Sequence, residues 1–383
     1  MTATKVVAFG GGHGLSASLR ALRRCAPELD LDITAVVTVG DDGGSSGRLR
    51  AARGGLPPGD LRQALVALAG DHPATRRSAR LFQHRFARTG AGATAPTGAT
   101  ALADVVVAAG AAFGGGTPST RGPAGRHPAD GVPTPAAGVP GPAGNGDRPA
   151  GSCADGLDGH AVGNLVLFGL MELLGDPVVA LEHAGTMLGT VGRVLPMSCE
   201  PVGIEAQVRG ADPTRPDEVR TVRGQHQVAV TTGRVEALRL TPAAPVACPE
   251  AVTAIRDADW LIFGPGSWYT SVLPHLLVPG LAAAIVASPA RRLVTLNLSA
   301  EKETLGLSAA GHLAALRRYL PELTADCVLA DARVVKDPES LARAAESLGA
   351  RLVLAPVAVA DGSSRHDPAA LGAALVPVLG AAR

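Results

Sequence analysis

Residues 5–24 read KVVAFGGGHGLSASLRALRR. A short apolar run at 5–9 is followed by Gly10-Gly11-Gly12-His13-Gly14, and then by a segment, 15–24, that puts Leu15, Leu19 and Leu22 on one helical face. Strand, glycine turn and helix in immediate succession form the opening unit of a parallel α/β sheet. The next segments repeat the alternation. ITAVVTV (33–39) has the β-branched character of a strand buried on both faces, and a helix is expected over 61–69 after a polar glycine loop. The reading is a doubly wound α/β fold with a mostly parallel sheet. Further strands are expected at 258–263, 293–298, 327–330 and 351–356, a buried helix at 165–174 and a closing helix at 368–379. Segments 205–208 and 227–240 read as a small β-rich excursion.

Between positions 111 and 150 the chain carries ten Gly and eight Pro but only five charges and one aromatic, Phe113. Such a stretch buries too little apolar surface to offset the entropy of ordering it. Residues 89–158 are therefore expected to be a disordered insertion within one domain spanning 1–383, with an inter-domain linker as the alternative.

Composition removes several classes of function. A net charge of +1 does not suit broad neutralisation of nucleic-acid phosphates, and 3% aromatic residues leave few rings for base stacking. No stretch reaches the ~18 consecutive apolar residues of a membrane helix. Residues 1–14 lack a basic region followed by an apolar one, so no signal peptide is expected and the location reads as cytoplasmic. The cysteines at 25, 153, 199, 248 and 327 show no C-x-x-C pair, and a reduced protein without structural metal is the simplest account.

Four glycine-rich or capped loops carry the candidate chemistry. Gly11, Gly12, His13 and Gly14 stand where a helix N-terminus presents unpaired N–H groups to an anion, although the spacing is neither G-x-G-x-x-G nor a P-loop. At the end of the second strand, Asp41 and Asp42 precede Gly43, Gly44, Ser45, Ser46 and Arg48. An acid there accepts from a ribose, or the two carboxylates hold a magnesium ion between phosphates. Asp60 and Gln63 have the D-x-x-Q spacing of a helix N-cap box, which alone accounts for both. After the strand at 258–263, Gly264, Gly266, Ser267, Tyr269, Thr270 and Ser271 form a second turn whose amides suit an anion nest. No Ser-His-Asp, Cys-His or H-E-x-x-H order is present.

The motifs GGGHGL (10–15), TVGDDGGSSGRL (38–49), PPGDLR (57–62), HAVGNL (160–165), GPGSWYTSVLP (264–274) and RHD (365–367) together resemble the CofD-like family, in its bacterial gluconeogenesis-factor (YvcK) branch. The resemblance implies a Rossmann-like α/β/α core and a bound nucleotide sugar, with UDP-N-acetylglucosamine foremost. It implies a regulatory role between carbon metabolism and cell-wall synthesis and shape, with cell-wall proteins as partners and a homo-oligomer as an expected state. The alternative it implies is a phospholactyl transferase using a guanine-nucleotide donor, a deazaflavin acceptor and magnesium. By motif, the glycine turn, Ser45, Ser46 and Arg48 would line phosphates, Asp41 or Asp42 would serve ribose or metal, and Asn164 and Arg365 would belong to the ligand site. Asp367 reads as the cap of the last helix. Two departures stand out: His13 occupies a position where relatives carry Thr, and NLSAEKET (297–304) is one residue shorter than the family's N-L-x-x-Q-P-G-E-T. An NAD-dependent oxidoreductase fits the fold but lacks the glycine spacing.

Overall fold

The computed structural model describes residues 3–87 and 156–381. The chain divides into a unit of residues 3–86 with 159–381 and a second unit, 87–158, nearly all of which lies outside the described residues, as does the expected insertion at 89–158 up to residue 155.

The larger unit runs β1 (Thr4–Gly10), α1 (Gly12–Leu29), β2 (Leu31–Val37), α2 (Gly44–Arg53), α3 (Pro58–Leu68), α4 (Pro73–Gln83), α5 (Val162–Leu174), α6 (Pro177–Leu188) and β3 (Arg193–Pro196). It continues through β4 (Gly203–Arg209), β5 (Val219–Arg223), α7 (Gln225–Val230), β6 (Arg234–Thr241), α8 (Pro249–Arg256) and β7 (Trp260–Phe263). A π-helical turn (Trp268–Val272) and a 3-10 turn (Leu273–Leu277) lead to α9 (Pro279–Ala287), β8 (Arg291–Thr295), α10 (Ala309–Tyr319), β9 (Cys327–Asp331), α11 (Pro338–Glu346), β10 (Arg351–Ala355) and α12 (Pro368–Leu379).

Seven strands form one parallel sheet in the order β10-β9-β8-β7-β1-β2-β3, and β5-β4-β6 form a small antiparallel sheet. The chain winds from β1 toward β3, then returns to the other side of β1 and winds outward through β7 to β10. Parallel crossovers are right-handed, so this reversal places α1 and α3 on one face and α9, α10 and α11 on the other. The result is the expected three-layer α/β/α architecture. Phe9 and Phe263, fully buried on the adjacent strands β1 and β7, stack with ring centroids 4.8 Å apart beneath the reversal point.

Three local expectations need correction. The polar loop after β2 is helical from Gly44: Gly47 allows this tight first turn, since a Cβ there would lie 1.9 Å from the Asp42 carbonyl oxygen. Helix α5 is apolar on nearly all sides but not buried, with Leu173 79% exposed, because only the face carrying Gly163, Asn164 and Leu167 is covered. Hydropathy without a periodic polar face does not say how many sides a helix buries. Residues 225–230 inside the β-rich excursion are helical. Among the described residues no single helix is long and apolar enough to cross a membrane.

His275 ties the segment after β7 to the sheet. Its Nε2 lies 3.0 Å from the Val36 carbonyl and its Nδ1 3.3 Å from that of Val272. Burial pushes its pKa down to about 4, outweighing the neighbouring carbonyls that favour the charged ring. The folded chain therefore holds His275 neutral while the unfolded chain takes up a proton below its ordinary value of 6.5. Stability from this residue is present above that pH and lost as pH falls from 6.5 to 4, by about 3 kcal/mol. Denaturant unfolding at pH 7.5 and pH 4.5, values chosen to bracket about one full titration, should show that loss reduced in His275→Gln. An identical pH dependence in both proteins would contradict it.

Candidate functional site

The order of the main sheet has one switch point, between β1 and β7, where chain connections leave in opposite directions. In open α/β sheets ligands bind outside the carboxyl ends of the strands at such a point. The turn after β1 and the turn after β7 meet there. A Cβ on Gly14 would lie 2.3 Å from the Pro265 carbonyl oxygen and 2.5 Å from the Gly266 Cα, so the two backbones touch. Asn297, at the end of the neighbouring strand β8, clamps the second turn: its Oδ1 accepts from the Gly266 amide and its Nδ2 donates to the Gly266 carbonyl, both at 2.9 Å.

Above this junction is a cavity of about 730 Å³. Of the residues singled out by sequence, Gly11, Gly12, His13, Gly14, Asp41, Asp60, Gly266, Ser267, Thr270, Ser271 and Arg365 line it. Arg20, Gln63, His226, Glu301 and His366 also face it, and none of these was expected at the ligand site. The residue before α1, Gly11, offers no side-chain cap and the first turn holds no acid; the Gly12 amide bonds Asp60, which leaves the His13 and Gly14 amides without an intrahelical partner beside the cavity. Arg365 is held at 2.7 Å by Asp361 and at 3.0 Å by Ser363.

Asp60 is not a helix cap. Pro57 occupies that position and Pro58 opens α3, so Asp60 falls inside the first turn. It is buried, accepts from Thr38 Oγ1 at 3.1 Å and lies close under Gly11. Burial, then the charge of Asp41, raises its pKa to about 7, against opposing hydrogen bonds from Thr38, Gln225 and the Gly12 amide. The adjacent acids Asp41 and Asp42 diverge. Asp41 faces the cavity and accepts from the Gly43 amide at 2.9 Å, whereas Asp42 turns to the start of α7 and accepts from the His226 amide at 2.8 Å. The carboxylate pair on the cavity is thus Asp41 with Asp60, not Asp41 with Asp42.

The remaining motif residues assemble elsewhere. Asn164 donates to Ser45 at 3.0 Å and to Ser46 at 3.4 Å, and accepts from buried Arg62 at 2.8 Å. Ser45 also meets His160 Nδ1 at 3.0 Å. Burial, with the charges of Arg48 and Arg85, keeps His160 below its usual pKa. This cluster fastens α2 to α5 and lies outside the cavity lining, as do Gly43, Gly44, Arg48 and Gly264, the last packed against the Thr295 carbonyl.

The expected anion nest after β7 is filled by the protein itself. The Tyr269 amide donates to Glu303 Oε1 at 2.8 Å, and Thr270 lies beside the same carboxylate and helps hold its charge. Burial raises Glu303 to about 7. Tyr269 faces a separate cavity. Sequence gave no sign of this, since Glu303 sits in the loop that departs from the family pattern.

A family model described as 2-phospho-L-lactate transferase CofD matches residues 6–355. A protein named "Putative gluconeogenesis factor" from Mycobacterium tuberculosis (strain ATCC 25618 / H37Rv) is 47% identical over 223 residues, covering 57% of this chain and 65% of that protein. The "Gluconeogenesis factor" of Bacillus subtilis (strain 168) is 32% identical over 198 residues, covering 51% and 59%. The chain thus spans less than two thirds of the length of these relatives. A crystal structure of a UPF0052 family member from Bacillus halodurans, 29% identical, superposes with a TM-score of 0.70 over 98% of this chain and 99% of that one.

Contact between the two turns leaves no room for a side chain. Gly14→Ala should cost roughly 2 kcal/mol of stability, the scale of overpacking against an unyielding backbone, read by denaturant unfolding. An unchanged midpoint would mean that the turns are not in contact.

Proposed function

The chain belongs to the CofD family, and from that premise we propose that it is a gluconeogenesis-type factor that binds a nucleoside-diphosphate sugar, UDP-N-acetylglucosamine, and acts as a regulator linking carbon metabolism to cell-wall synthesis and cell shape. The observation that carries this reading is the N-terminus of α1, with Gly12 bonded to Asp60 and the His13 and Gly14 amides left over, beside a cavity large enough for such a ligand at the switch point of the sheet. The diphosphate would sit against the amides of His13 and Gly14, where the helix dipole favours negative charge. Arg20 and Arg365 would face its outer oxygens, and Gln63 and Gln225 offer directional polar groups to the base or sugar.

A magnesium ion fits the donor chemistry of Asp41 and Asp60, two carboxylates that press on each other electrostatically in one cavity. When bound, it would neutralise phosphate charge. Asp42 is engaged elsewhere.

The transferase reading requires a surface for a tricyclic deazaflavin. No Phe, Tyr or Trp is among the described residues lining the cavity: Phe9 and Trp268 are core residues, and Tyr269 faces the other cavity. That favours a binder over a phospholactyl transferase.

Calorimetry with UDP-sugars, GTP and NAD is expected to give a UDP-sugar Kd in the micromolar range, about −8 kcal/mol. Heat from GTP alone, with deazaflavin turnover in magnesium, would overturn the proposal. Asp60 adds a pH signature. Below pH ~7 it carries a proton and the cavity is less negative. Without divalent metal, affinity for the anionic ligand should fall about tenfold as pH rises through 7, the effect of one added charge nearby, and Asp60→Asn should flatten the profile. An equal pH dependence in the variant would remove Asp60 from the account.

A further inference from the structure

Among the described residues one cluster of thiol and carboxylate groups lies apart from the nucleotide cavity. Cys199, Cys248 and Glu250 each bring a ligand atom within 4.8 Å of the other two. Cys248 Sγ lies 3.1 Å from Glu250 Oε2, with the thiol donating. The nearness of Cys248 lowers the pKa of Cys199, and that of Cys199, with burial, raises the pKa of Cys248. The other described thiols, Cys25 and Cys327, belong to no such cluster.

The scaffold under the cluster is already fixed. Cys199 lies in the turn after β3, and Cys248 is the residue preceding α8. The Cys248 amide donates to the Met197 carbonyl at 3.2 Å, so the two segments are joined through their backbones before any side chain is considered. The Met197 amide in turn donates to Val37, the last residue of β2, at 2.8 Å. Asp176, Glu200 and Glu250 all act electrostatically on Cys199, which makes the surroundings favourable to a cation.

We propose that Cys199, Cys248 and Glu250 form a binding site for a soft divalent cation of the zinc class. Two sulfurs and one oxygen are a donor set zinc accepts, and its Zn–S bonds of about 2.3 Å put tetrahedral ligand atoms just under about 4 Å apart. The present spacing, within 4.8 Å, has less than about 1 Å to contract, between segments whose backbones are already joined. Binding converts two thiols to thiolates and releases two protons: the two S–H bonds break, two metal–sulfur bonds form, and no electrons are transferred. With three protein ligands, the fourth position is open to water. The ion would pin the start of α8 to the turn after β3, at the carboxyl end of the sheet. This assignment does not depend on the nucleotide reading.

The test uses the full chain, reduced and stripped with chelator, then titrated with zinc against a chromophoric competitor. The expected result is one zinc per chain with affinity tighter than micromolar, and release of two protons measured in weakly buffered solution. Cobalt(II) in place of zinc should give the thiolate charge-transfer absorption of two sulfurs, a readout that needs no variant. Cys199→Ser and Cys248→Ser should each lose zinc affinity by about 100-fold or more, and Glu250→Gln by about tenfold. Zinc uptake unchanged in the double cysteine variant would overturn the site, as would cobalt spectra without thiolate bands. A Cys199–Cys248 disulfide that persists under reductant and takes up no zinc would also overturn it.

Discussion

Two turns can touch backbone to backbone only where neither carries a side chain at the point of contact. At Gly14 and Gly266 that condition is met, and the rest of the site follows from it. The contact brings the start of an 18-residue helix against the end of β7, directly above the stacked rings of Phe9 and Phe263. Asn297 then locks the second turn by gripping both the amide and the carbonyl of Gly266. A larger residue at Gly14 would hold the strands' ends apart and open the floor of the cavity.

Charge sets the second constraint. The protein spends one carboxylate, Glu303, on the amides after β7. On the proposed function an external anion would go to the start of α1, where Asp60 takes the Gly12 amide and the His13 and Gly14 amides remain. Facing it, Asp41 and Asp60 make the same cavity partly acidic. Burial of Asp60 relieves this by favouring its protonated form near neutrality, and a divalent cation would relieve it by binding both carboxylates. On the proposed function, anion recognition and proton or metal binding would therefore be coupled at one place.

Much of this was readable from residues alone. Periodicity and glycine placement located β1, its turn and α1, because a short apolar run, a glycine turn and an amphipathic helix leave few alternatives. The closing helix was located residue for residue by Pro368 and the Asp367 cap, whose carboxylate accepts from Ala369 and Ala370. Other features depend on tertiary context. Neighbours Asp41 and Asp42 look equivalent in a string of letters but diverge where the chain enters α2. The D-x-x-Q spacing at Asp60 suggested a cap, and the preceding prolines moved the helix start upstream. Ser45, Ser46 and Asn164 carry family motifs, yet they bond to one another because both helices bury polar groups that must be satisfied. Cys199 and Cys248 stand far apart in sequence with no metal-type spacing, and only the pairing of their loops makes them neighbours.

The claim at the centre is that the amides at the start of α1 hold a diphosphate. The most direct measurement compares UDP with UMP by titration of the metal-free protein. If those amides grip the second phosphate, UDP binds about a hundredfold more tightly than UMP, the worth of two charge-assisted hydrogen bonds. Equal affinity for UDP and UMP would place recognition on the base and ribose and contradict the account.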